Sequence, residues 1–192
     1  MAKKKHNSNL YIIAGCNGAG KTTASFNVLP QILNCKEFVN ADEIAKGLSP
    51  FSPESVAIQA GKLMLKRIDE LLSEGTSFAI ETTLATKSYR TLVERAHNRG
   101  YAVQLLFFWL ESPIMACQRV EKRVLEGGHD IPIGTIYRRY YSGLKNLFDI
   151  FMPIVDYWAI YDNNLQTTMI ADSESIVNMG LFNKIENYVR NK

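Results

Sequence analysis

The sequence predicts an α/β fold in three layers: a parallel sheet of about five strands, helices on both faces, and a phosphate-binding loop after the first strand. Three observations lead there. The apolar run Leu10–Ala14 feeds a glycine-rich turn that ends in Gly20-Lys21-Thr22. Further apolar runs alternate with longer stretches whose apolar positions recur every three or four residues, the pattern of parallel strands joined by crossover helices. Polar residues also come after several of those runs, at the edge where open α/β sheets hold ligands.

The loop comes first. Gly15, four residues, and Gly20-Lys21-Thr22 fit the Walker A pattern, and each position has a chemical reason. Glycines let the backbone wrap an anion with its N–H groups inward, where a Cβ would block positive φ angles and close approach. Lys21 would reach the β- and γ-phosphates, the Thr22 hydroxyl would ligate Mg²⁺, and the helix starting near Lys21 adds its positive end. Gly15, Asn17, Gly18, Ala19, Gly20, Lys21, Thr22 and Thr23 are therefore the candidate ATP contacts. At ordinary glycine usage the bare pattern arises by chance in roughly one chain of this length in a hundred.

The remaining elements run in order. A helix from Lys21 to Leu29 is stopped by Pro30. Glu37–Val39 is a short strand with Asn40-Ala41-Asp42 at its carboxyl end, and Ser52-Pro53-Glu54 starts a helix with a capping hydroxyl and a proline in the first turn. Ala57, Ala60, Met64, Ile68 and Leu71 give that helix one buried face, and Gly75 ends it. Ser77–Ile80 is a third strand delivering Glu81, Thr82 and Thr83 to the crevice, and a helix to Gly100 comes next. Tyr101–Leu110, almost continuously apolar, reads as a central strand covered on both faces. Pro113 opens a helix that stops at Gly127-Gly128, the segment to Gly134 is a mobile loop, and a helix from Thr135 reaches Phe151 before Pro153. Tyr157–Tyr161 is a strand ending at Asp162-Asn163-Asn164, Thr167–Ile170 an edge strand, and Glu174–Arg190 a closing helix.

With 192 residues the chain suits one well-buried core. Residues 1–8 read as a flexible basic tail and 9–192 as a single domain. Its net charge of +3 shows no concentrated basic face beyond the tail, so nucleic acid is an unfavoured partner. No run approaches the roughly eighteen apolar residues needed to span a bilayer, and the apolar stretch after the tail is too short for a secretory signal. Cys16, Cys35 and Cys117 are odd in number and lack metal-ligand pairing, which fits a reducing cytoplasm.

Phosphoryl transfer needs nucleotide cradling, a metal, a group that orients the attacking hydroxyl, and cations for the charge on the transferring group. Asp42 is placed to accept a hydrogen bond from a substrate hydroxyl, or to cap the turn at Glu43 to Lys46. Glu81 occupies the strand end a Walker B acid would hold, touching Mg²⁺ or the acceptor with Thr82 beside it, unless it is a surface acid. Arg119 and Arg123 are helical neighbours, and Arg138 and Arg139 lie beyond the glycine loop. Two basic helices hinged at glycines resemble a lid over phosphates, although a solvated face explains many charge runs. His129 has no companion at metal-ligand spacing. Asn163 is either an adenine contact or a turn asparagine. Cys16 is an oxidant-sensitive thiol or simply a compact residue in a crowded loop.

Five blocks occur in order from Leu10 to Asn164: GCNGAGKTT, FVNADEIAKGLSPFSPES, FAIETTL, RVEKRVLEGGHDIP with IYRRYYSGLKNL, and YDN. Together they resemble the zeta-toxin family of P-loop kinases, in its short single-domain form. The resemblance implies a kinase-type sheet of order 2-3-1-4-5 with a helical lid, and ATP and Mg²⁺ as cofactors. In better-characterised toxins the γ-phosphate goes to the sugar 3′-hydroxyl of UDP-N-acetylglucosamine. By that likeness Asp42 is the general base, Lys21 and Thr22 the phosphate and metal contacts, and Glu81 a substrate or metal-shell acid. The lid arginines stabilise charge, and an antitoxin protein is an implied partner. The residues alone leave two other readings open. One is a P-loop ATPase switch driving a partner, though no LSGGQ signature is present; the other is a polynucleotide kinase, hinted at only by Tyr137, Tyr140 and Tyr141 beside Arg138-Arg139.

Overall fold

The structure, a computed structural model, describes residues 8–31, 33–128 and 130–190. His129 and all of the expected basic tail except Ser8 lie outside the described residues, and Ser8 opens the first strand. The strands are β1 (Ser8–Ala14), β2 (Glu37–Val39), β3 (Phe78–Thr82), β4 (Tyr101–Trp109), β5 (Tyr157–Asp162) and β6 (Thr168–Asp172). They form one sheet of order β2-β3-β1-β4-β5-β6. The first five pair in parallel, which is the expected 2-3-1-4-5 order, and β6 turns back to extend it antiparallel.

Burial explains the middle of the sheet. Leu10, Ile12, Phe78, Ile80, Val103 and Leu105 are fully buried, and each such side chain contributes about 1.5–3 kcal/mol relative to exposure. Strands buried on both faces lose the polar alternation of half-exposed ones, which is why β4 reads as a nearly continuous apolar run. Parallel pairing brings the carboxyl ends together at one edge: Val39 lies beside Ile80, and Ala14 beside both Thr82 and Phe107. The residues just past those strands are thereby gathered into one crevice.

The helices are α1 (Lys21–Gln31), α2 (Ala41–Leu48), α3 (Ala57–Glu74), α4 (Tyr89–Asn98), α5 (Pro113–Leu125), α6 (Ile133–Asn146) and α7 (Met179–Arg190). Several boundaries depart from expectation. Pro30 sits inside the last turn of α1 without ending it at Leu29, and the Leu29 carbonyl accepts from the Cys35 N–H at 2.8 Å. Ser52 does not cap a helix; its hydroxyl is within 2.8 Å of Glu54 Oε1, and Pro53–Val56 forms a 3₁₀ turn before α3. α6 begins at Ile133, two residues early, and passes into a π segment over Leu147–Phe151, where Met152 N–H reaches the Leu147 carbonyl at 2.9 Å. α7 starts five residues later than expected, because the Asp172 carboxylate draws the Glu174 and Ser175 N–H groups into a turn and Asn178 caps the helix at Leu181. No helix among the described residues is long and apolar enough to cross a membrane.

Tyr101, 1% exposed, shows how α3 is fastened: its hydroxyl lies 2.9 Å from both the Leu71 and Thr76 carbonyls. Tyr101→Phe removes that donor while keeping the ring, and is expected to cost about 1–2 kcal/mol in chemical denaturation.

Candidate functional site

The glycine turn is shaped by its surroundings. Gly15, Gly18 and Gly20 have φ of 146°, 76° and 77°, angles that L side chains rarely adopt. A Cβ on Gly15 would lie 2.4 Å from the Phe108 carbonyl oxygen, and one on Gly20 would lie 2.6 Å from Asn163 Nδ2. The loop is therefore pressed against β4 behind it, leaving its front to a cleft of about 530 Å³. That volume lies within the roughly 300–1,000 Å³ of small-molecule pockets. Asn17, Gly18, Gly20, Lys21, Thr22 and Thr23 line it, facing Asp42, Glu43, Lys46, Glu81, Arg123 and the Glu126–Gly128 turn. Gly15 and Ala19 shape the loop from within, the Ala19 N–H closing on the Cys16 carbonyl at 3.2 Å.

Glu81 is the hub of the site. Its Oε2 accepts from Thr22 Oγ1 at 2.8 Å and Asn40 Nδ2 at 2.9 Å, while Oε1 lies 3.6 Å from Lys21 Nζ. Lys21, 7% exposed, also donates to the Cys16 carbonyl at 2.9 Å. A hydroxyl and a carboxylate side by side fit a Mg²⁺ ion, which keeps most of its water and needs few protein ligands beside substrate phosphates. Among the described residues no larger cluster of His, Cys, Asp or Glu could hold a metal.

Asn40 is a site residue that the sequence reading does not single out. Its Oδ1 accepts from the Asp42 N–H at 2.8 Å and the Glu43 N–H at 3.4 Å, so Asn40 is the N-cap of α2. The alternative role of Asp42 as a cap is thereby filled, and the Asp42 side chain lines the cleft instead. An asparagine between a strand and an acidic first turn is the signal that could have found this cap.

A second cleft of about 220 Å³ lies beyond Asp42. Asn17, Lys21, Asp42 and Glu81 belong to both, and the second adds Met64, Thr82, Thr83, Thr86, Tyr89 and Arg139. Its floor is an uncommon turn. Leu84, fully buried, has φ of 58°, which costs a non-glycine residue about 1–2 kcal/mol. The Leu84 N–H donates to Thr82 Oγ1 at 3.0 Å, and its carbonyl accepts from Asn146 Nδ2 at 2.8 Å. Burial pushes the Tyr89 phenol up, opposed by a hydrogen bond with Thr82.

The four arginines divide. Arg139 lines the second cleft and its Nη1 lies 3.3 Å from Asn17 Oδ1. Burial and the neighbouring Arg138 hold its pKa below the usual guanidinium range, while Asp42 opposes them. Arg123 lines the nucleotide-sized cleft beside Gly127 and Gly128. Arg119 is a brace: it reaches the Asn163 carbonyl at 2.9 Å and also the Asn164 and Gly18 carbonyls. Arg138 is exposed and lines neither cleft. The Asn163 side chain ties the loop to the end of β5: its Nδ2 donates to the Ala19 carbonyl at 2.7 Å and its Oδ1 accepts from Thr167. The two helices of the expected lid each pack one face on the core. Ala116 and Val120 bury one face of α5, Ile136, Tyr140 and Leu144 bury one of α6, and the Tyr140 hydroxyl holds the Leu110 carbonyl at 2.8 Å. Arg123 near the end of α5 and the Glu126–Gly128 turn after it line the larger cleft.

Known proteins share this architecture. A sequence profile described as Zeta toxin matches residues 2–173. An uncharacterised protein of Haemophilus influenzae is 29% identical over 128 residues, covering 66% of this chain and 88% of that one. Among solved structures, the AvrRxo1-ORF1:-ORF2 complex with ATP superposes with a TM-score of 0.75 at 18% identity, over 93% of this chain. This chain spans 63% of that protein's length. The PezAT chromosomal toxin-antitoxin system of Streptococcus pneumoniae gives a TM-score of 0.67 at 20% identity, over 98% of this chain and 81% of that one. At these identities the structural matches establish the fold.

The loop's packing has two testable outcomes. Gly15→Ala puts a Cβ against the Phe108 carbonyl at a φ that alanine avoids, and is expected to abolish binding of a fluorescent ATP analogue measured by titration. Burial raises the Cys16 thiol to about 11, so it stays protonated at pH 8, and iodoacetamide is expected to leave it unmodified in the folded protein by mass spectrometry.

Proposed function

The chain belongs to the zeta-toxin family, and from that membership we propose that it is an ATP- and Mg²⁺-dependent phosphotransferase. It moves the γ-phosphate to a hydroxyl of a small-molecule acceptor, with a nucleotide sugar such as UDP-N-acetylglucosamine as the first candidate. The observation that carries the reading is Asp42, which borders both the glycine-loop cleft and the smaller cleft past it. A general base has to stand where donor and acceptor meet.

Each residue then has a task. The loop from Asn17 to Thr23 holds the triphosphate, and Lys21 turns from the Cys16 carbonyl toward the β- and γ-phosphates. Thr22, with Glu81 behind it, would hold Mg²⁺, which would supply positive charge to offset that of the phosphates. Thr82, Thr83 and Thr86 offer hydroxyls to a polar acceptor in the second cleft. Asp42 accepts the proton of the attacking hydroxyl as its oxygen bonds to the γ-phosphorus and the bond to the β,γ-bridging oxygen breaks, releasing ADP. Arg123 in the larger cleft and Arg139 in the smaller one stabilise charge on the transferring group. The packing of buried Tyr140 edge-on against Tyr141 supports a small acceptor, because it removes two of the three aromatics a polynucleotide channel would use for stacking. The same membership suggests a single domain over 9–192, an antitoxin protein as partner, and the cytoplasm as the place of action.

Incubation with γ-labelled ATP, Mg²⁺ and panels of nucleotide sugars, nucleosides and oligonucleotides tests the reading. Label is expected on a small-molecule acceptor. Asp42→Asn is expected to slow transfer by roughly 10²–10⁴-fold while ATP binding is kept. Orthophosphate as the sole labelled product would favour an ATPase, label on oligonucleotides a polynucleotide kinase, and undiminished transfer by the variant would remove Asp42 from the chemistry.

A further inference from the structure

The turn that floors the acceptor cleft does not hold itself. Thr82, Thr83, Thr86 and Tyr89 all line that cleft, and Leu84 among them adopts a left-handed backbone without being glycine. Such a conformation persists only where its surroundings over-determine it. Two contacts from α6 do so. Asn146, 5% exposed, donates from Nδ2 to the Leu84 carbonyl at 2.8 Å. One turn earlier, Gly143 packs so close that a Cβ there would lie 2.5 Å from the Thr83 carbonyl oxygen. Both residues lie on the buried side of the helix that presents Arg139 to the same cleft.

We propose that Asn146 is a positioning residue for the acceptor: through its hydrogen bond to Leu84 it holds the Thr82–Thr86 turn in the shape that presents the acceptor-facing hydroxyls opposite Asp42. The inference rests on the phosphotransferase reading for its consequence, and on the Asn146–Leu84 contact for its geometry. Asn146 touches no reacting atom. Its role is selective for the acceptor side, because the glycine loop is braced separately by Arg119 and Asn163.

Asn146→Asp keeps the shape and removes the donor, while Gly143→Ala displaces the same turn through the neighbouring contact. Hydrogen exchange at the Leu84 amide is expected to be at least about tenfold faster in Asn146→Asp than in wild type. Affinity for a fluorescent ATP analogue should stay within about twofold in both variants, a sign that fold and loop are intact. Against the panel of nucleotide sugars and nucleosides, acceptor KM should rise by about tenfold or more with ATP KM unchanged, because small misplacements of a reactant are costly. Unchanged exchange at Leu84 overturns the inference, as does a parallel loss of ATP affinity, which would mark a merely structural role. Wild-type protein that labels no acceptor would count against the functional reading, and the exchange comparison would still decide for or against the Asn146 contact.

Discussion

One mostly buried carboxylate, Glu81, sets the geometry of the crevice. Removing a charge from water costs several kcal/mol unless its partners are well placed, and Glu81 meets that cost with an ammonium and two uncharged donors, Lys21, Thr22 and Asn40. Those partners come from the start of α1 and from the junction of β2 with α2, so satisfying Glu81 fixes both relative to β3. Asn40 is the link between the two. One end of its amide caps α2 and the other donates to Glu81. An aspartate would cap as well but would set carboxylate against carboxylate, and a serine would cap without a second arm. The orientation of Asp42 toward the clefts is a result of that cap.

A division of labour among the basic residues arises from where the backbone leaves bare carbonyls. Arg119 is drawn to the carbonyls of Gly18, Asn163 and Asn164, where the loop meets the end of β5. Asn163 does similar work at Ala19. The scaffold thus consumes two groups that chemistry could have used, and leaves Arg123 and Arg139 at the clefts. α5 and α6 each bury an apolar face against the core, and α5 also presents Arg123 to the larger cleft.

The central place of β4 and the phosphate loop were legible because each rests on a local rule, apolar continuity or a glycine spacing, whereas the strand order followed from the resemblance that the five sequence blocks carry. Asp42, Lys21, Thr22 and Glu81 share one cleft because parallel strands deliver their succeeding residues to a common edge. Tertiary choices were not legible. Nothing in the spacing of Arg119 and Arg123 distinguishes a brace from a cleft residue, since both lie on one helical face and differ only in which carbonyls lie across from them. Leu84 carries no glycine to advertise its left-handed turn, and Asn146 is sixty-two residues away from the carbonyl it holds. The late start of α7 was hidden by Asp172, whose side chain captured N–H groups that periodicity alone assigned to a helix.

The two ends of the sheet bear on how the molecule behaves in a crowd. β2 is only three residues long, and β6, which reverses direction, carries a further bridge between Ala171 and Ile176. An incoming strand from another molecule finds a ladder too short to extend on one side and a partly occupied one on the other. Resistance to edge-to-edge aggregation is thus built into the sheet's margins, leaving its apolar centre free to be as water-averse as the crevice above it requires.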